Sequence, residues 1–74
     1  MSEYPTPIRE DSGCKVGWLT YDNQADAEKA SQIAVEWGRK RAARGYDFGY
    51  ESPGQVVHKV NSDTGEERWI VTIP

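Results

Sequence analysis

Two adjoining stretches hold most of the side chains in this 74-residue chain that are suited to contacting another molecule. Arg39, Lys40, Arg41 and Arg44 crowd four of the nine cations into six positions, and Arg44-Gly45-Tyr46-Asp47-Phe48-Gly49-Tyr50 follows with rings at alternate positions. Cationic side chains bind carboxylates and phosphates, Arg through a planar fork. Tyr and Trp beside Arg are also the residue types in which binding energy concentrates at protein interfaces. The first expectation is therefore a non-enzymatic protein-interaction module with Arg44, Tyr46, Phe48 and Tyr50 as its contact patch. The alternative is a small single-stranded nucleic-acid-binding protein, with Arg39, Lys40, Arg41 and Arg44 on the phosphates and the same rings stacked on bases.

Both readings compete with simpler ones. Cations in the last turns of a helix complement the negative end of its macrodipole, which accounts for the basic cluster without any ligand. The segment from Arg44 to Phe48 partly matches the aromatic motif of RNA-recognition domains. Arg44, Gly45, Tyr46 and Phe48 fit, but Asp47 stands where Gly or Ala is needed and Glu51 where the last aromatic belongs. That motif also lies on a strand after a hairpin, whereas here it directly follows a helix. A long polyanion is less favoured still, because the formal net charge is −3.

Catalytic and metal chemistry find little support. The single histidine, His58, has no Ser, Cys or paired carboxylate at a recognisable spacing, so a ring packed at a sheet edge is expected rather than a general base. Cys14 adjoins Lys15, yet no second cysteine exists for a disulfide or a CxxC pair, and one Cys with one His falls short of a four-ligand zinc site. The seven glycines fit neither phosphate-loop nor dinucleotide patterns. No enzyme activity, cofactor or metal is expected. With no run of apolar residues long enough to span a bilayer and no apolar leader at Met1–Glu10, the expected setting is the cytoplasm, away from membranes.

The elements that must carry these residues are few. Ile, Leu, Val and Phe make up only twelve of the 74 residues, so the eight aromatics have to supply much of any core. Residues 1–13, with Pro5 and Pro7, read as an extended arm anchored through Tyr4 or Ile8. Residues 14–74 read as one domain. Lys15–Tyr21 is a first strand. Ala25–Arg44 is a helix capped by Asp22 or Asn23, holding all six alanines and ending at Gly45.

Ala27, Ala30, Ala34 and Trp37 recur on one helical face, which predicts that Trp37 packs against the sheet and that Gly38 lies beneath a ring. Gln55–Val60 and Arg68–Ile73 are two further strands, joined through a turn with Gly65 in a left-handed bulge position. Residues 46–50 are a candidate extra short strand that holds its three rings on one side, with Tyr50 exposed. The fold class is α+β: one helix on a mainly antiparallel three-stranded sheet in β-α-β-β order. The last strand is expected at an open edge, available to a partner or a second copy of the chain.

The short chain, Gly17-Trp18-Leu19-Thr20-Tyr21, Gly45-Tyr46-Asp47-Phe48-Gly49-Tyr50 with Pro53-Gly54, and the closing Val71-Thr72-Ile73-Pro74 together resemble small orphan proteins of actinobacterial phages. The resemblance spans most of the chain without a diagnostic motif. It implies a product of the host cytoplasm that binds and modulates a host protein, and it assigns no functional residue.

Overall fold

The computed structural model describes residues 3–74, so Met1 and Ser2 of the expected arm lie outside the described residues. Its elements are β1 (Arg9–Ser12), β2 (Gly17–Tyr21), α1 (Gln24–Ala43), β3 (Val56–Val60) and β4 (Glu67–Ile73). The fold is α+β, with one helix on a four-stranded, wholly antiparallel sheet in the order β1-β2-β4-β3.

The fourth strand comes from the arm and not from residues 46–50. Pro5 and Pro7 favour extended backbone in the residues before them, and the Ile8 N–H donates to the Thr20 carbonyl (2.9 Å) just ahead of β1. Arg9-Glu10-Asp11-Ser12 then pairs with Thr20 back to Gly17. Three charged residues in four give no apolar alternation to read, because an edge strand of this kind faces water. The arm is held by Tyr4, which packs on the core, and by the Tyr21 hydroxyl, which donates to the Pro5 carbonyl (2.8 Å). The Ile8 side chain is exposed, so Ile8 ties the arm down only through its backbone N–H.

β4 is central and not an edge: it pairs with β2 through Gly17↔Ile73 to Tyr21↔Trp69 and with β3 through Val56↔Val71 to Val60↔Glu67. The free edges are β1 and β3. The loop between β3 and β4 closes as its sequence predicts. The Gly65 N–H donates to the Asn61 carbonyl, the Asn61 N–H to the Glu66 carbonyl (both 2.8 Å), and Gly65 sits at φ +75°.

Helix α1 starts where Asn23 caps it. The Asn23 side-chain oxygen accepts from the Asp26 N–H (2.8 Å) while its amide donates to the Asp26 carboxylate (3.1 Å), satisfying a first-turn donor and placing negative charge at the positive end of the helix. The face towards the sheet is Ala27, Ala30, Ala34 and Gly38, all buried. Small side chains let the helix approach closely over Leu19, Tyr21 and Val71, which with Ala27 and Ala30 form the core. Full burial of Tyr21 and Val71 contributes roughly 1.5–3 kcal/mol each.

Trp37 does not belong to that face. The small-residue spacing runs 27, 30, 34, 38, so the position that meets the core at the end of the helix is 38 and residue 37 points to the flank, 40% exposed. Gly38 is there for close packing, but under a proline rather than an aromatic ring: a Cβ at Gly38 would lie 2.8 Å from the Cβ of Pro53. The segment after Ser52 is fixed from both sides. Ser31 Oγ donates to the Gly54 carbonyl, the Gly54 N–H donates to the Thr72 carbonyl (2.7 Å), and the Thr72 N–H donates to the Gln55 carbonyl (2.9 Å).

Candidate functional site

The end of the helix builds the site. Arg44 is the C-cap and Gly45 follows at φ +90°, a conformation that glycine adopts without a Cβ penalty. The Gly45 N–H donates to the Ala42 carbonyl (2.9 Å) and the Tyr46 N–H to the Arg41 carbonyl (3.1 Å). This pair of bonds is the Schellman motif, which turns the chain back across the last helical turn. Tyr46 is thereby folded against the helix it has just left, and its hydroxyl donates to the Lys15 carbonyl (3.0 Å), tying it to the loop between β1 and β2.

Trp37, Lys40, Arg41 and Arg44 stand at i, i+3, i+4 and i+7, one face of a helix. With Gly45 and Tyr46 they line an open groove of about 490 Å³. The Lys40 ammonium lies 4.8 Å from the centre of the Trp37 ring and 3.6 Å from the Glu36 carboxylate. Arg41 and Arg44 make no salt bridge among the described residues. Burial pushes the Tyr4 phenol above its ordinary value, and the nearby positive charge of Arg41 opposes part of that rise. The groove thus pairs an exposed indole and a half-exposed phenol with uncompensated guanidinium charge, an arrangement able to hold a carboxylate or phosphate beside an apolar group.

Of the residues singled out in the sequence, Lys40, Arg41, Arg44 and Tyr46 come together here, and Phe48 adjoins them with its ring centre 4.7 Å from that of Tyr46. Arg39 is exposed and outside the groove lining. Tyr50 is fully exposed, and it lines a separate depression with Trp18, Val57 and Ile70 on the sheet face opposite the helix.

The three rings do not share one side, because residues 46–50 are not a strand. The left-handed Gly45, an Asx turn in which Asp47 accepts from the Gly49 N–H (2.8 Å), and Gly49 at φ +68° bend this segment repeatedly. Trp37 is the groove residue that sequence reasoning missed. Its signal is the 37, 40, 41, 44 stripe, which overlaps at Trp37 with the alanine stripe 27, 30, 34, 37.

His58 stacks on Trp69 (ring centres 4.8 Å apart, planes 7° apart), with its Nε2 3.4 Å from Glu67 Oε1. Cys14 is exposed. Among the described residues no group of His, Cys, Asp or Glu is arranged to hold a metal ion, and no helix is long and apolar enough to cross a membrane. Comparison with protein-family models, with curated proteins and with solved structures returns no match.

Proposed function

We propose that the chain is a protein-interaction module whose groove of Trp37, Lys40, Arg41, Arg44 and Tyr46 receives a short acidic segment of a partner protein through an aromatic or aliphatic anchor. The observation that carries this reading is the exposure of Trp37. An indole 40% open to water, on the same helical face as Lys40, Arg41 and Arg44, keeps apolar area that a partner can still cover. Trp, Tyr and Arg are the residues in which interface energy concentrates, and two guanidinium groups with no salt bridge among the described residues select acidic side chains around the anchor.

A peptide fits better than a nucleic-acid strand. The positive patch is one groove wide on a chain of net charge −3, too short to follow a run of phosphates. The likeness to phage orphan proteins directs the search for the natural partner towards a bacterial host protein.

Selection from a displayed library of random peptides tests the reading. The expected result is enrichment of sequences carrying Asp or Glu around a hydrophobic residue, lost on Trp37→Ala and on the double change Arg41→Ala with Arg44→Ala. Enrichment that survives these changes, or salt-sensitive micromolar binding of oligo-dT by the same groove in place of peptides, would contradict it.

A further inference from the structure

The two edges of the sheet are built differently. β1 carries Arg9, Glu10 and Asp11 in four residues, which discourages pairing with another strand. β3 is Val56-Val57-His58-Lys59-Val60, exposed along its whole length, with no Pro or Gly and a single charge. Its valines at 56, 57 and 60 are 38%, 42% and 56% exposed. The side on which β3 bonds to β4 follows from the loop. The Asn61 N–H bonds to Glu66 and the Thr72 N–H to Gln55, so the odd-numbered residues of β3 use their backbone groups inside the sheet. By the alternation of antiparallel ladders, the N–H and C=O groups of Val56, His58 and Val60 point outwards.

We infer that β3 pairs with β3 of a second copy of this chain, antiparallel about a two-fold axis at His58, to give a closed dimer with an eight-stranded sheet, four strands from each copy. The strand is self-complementary in this register. His58 meets His58 of the partner subunit, and Val56 meets Val60 of the partner subunit. The three outward-facing residues of each strand then exchange about six hydrogen bonds. The valines that each monomer leaves in water cover one another.

The register sets each Lys59 opposite Val57 of the partner subunit, so the two Lys59 side chains lie diagonally across the axis on one face of the sheet. Glu51, which lines the same depression as Val57 and Lys59 and makes no salt bridge among the described residues, supplies the opposite charge on that face. Because β1 is guarded, the assembly stops at two copies. This inference does not depend on the groove at the helix end.

Sedimentation equilibrium and amide hydrogen exchange on the intact chain test it together. The expected results are a mass rising with concentration to twice 8.3 kDa and no further, and protection of the Val56, His58 and Val60 amides that appears as dimer forms, while Val57 and Lys59 are protected throughout. Two double variants differ only at position 56. Val56→Lys with Val60→Lys sets like charges opposite and should lower the association constant at least tenfold. Val56→Glu with Val60→Lys sets opposite charges and should stay within about threefold of the parent. A chain still monomeric at about 1 mM, growth beyond two copies, equal association of the two variants while both remain folded by circular dichroism, or a dimer whose position 56, 58 and 60 amides exchange freely would each overturn the proposal.

Discussion

The Tyr46 N–H donates to the Arg41 carbonyl at 3.1 Å, and this one bond joins the packing of the helix to the geometry of the groove. It depends on Gly45 at φ +90°, between the two residues it serves. Gly45→Ala should cost about 1–2 kcal/mol in urea denaturation, since an L side chain is disfavoured in that conformation. It should weaken peptide binding as well, because Tyr46 is no longer held across the helix end. Unchanged stability and affinity would show that the turn does not set the groove.

Trp37→Ala separates interface from core. A side chain 40% exposed on the helix flank should cost roughly 1–3 kcal/mol of stability, compared with roughly 3–5 kcal/mol for a fully buried tryptophan. Thermal melting of the variant provides the check, with loss of cooperative unfolding as the outcome that returns Trp37 to the core.

Gly38→Ala sets two effects against each other. Alanine gains about 1 kcal/mol of helix propensity, but its Cβ would lie 2.8 Å from Pro53 Cβ and 2.9 Å from Pro53 Cγ. Pro53 belongs to a segment hydrogen-bonded to both helix and sheet and cannot retreat freely, so overpacking should win with a net loss of about 1–2 kcal/mol. A more stable variant would mean that the 52–55 segment yields.

Much of this architecture could be read from residue types whose local physics is unambiguous. The cap at Asn23, the alanine stripe, Gly45 as terminator and the Gly65 hairpin follow from backbone requirements that few other residues meet. What could not be read depended on neighbours distant in sequence. β1 is polar because it lies at an edge, so the apolar alternation that marks a strand is absent. Strand order put β4 in the centre, and no feature of Arg68–Ile73 distinguishes a central strand from an edge strand except its near-continuous apolar run. At the site, the cations and Tyr46 stood out by type, while Trp37 satisfied two helical stripes at once and only the position of Pro53 over Gly38 decides between them.

Tyr21 gives the fold an alkaline limit. Burial, with a further contribution from the Asp26 carboxylate, pushes its phenol up to about 12, while its hydroxyl donates to the Pro5 carbonyl. In the unfolded chain the phenol titrates near 10. The folded state therefore favours the protonated form: its stability contribution is complete below about pH 10 and is lost as pH rises from there towards 12. Urea midpoints should fall across that window in the parent, and Tyr21→Phe should flatten the fall while costing about 1 kcal/mol at neutral pH for the lost hydrogen bond. A fall of equal steepness in both proteins would assign the alkaline loss to other groups.

The most direct measurement is the affinity of the folded chain for a selected acidic peptide, before and after Trp37→Ala, at matched helicity. Loss of the indole should weaken binding by about 2 kcal/mol or more, roughly thirtyfold, while the variant still unfolds cooperatively. Equal affinity in the two folded proteins would contradict the assignment of this groove as the binding site.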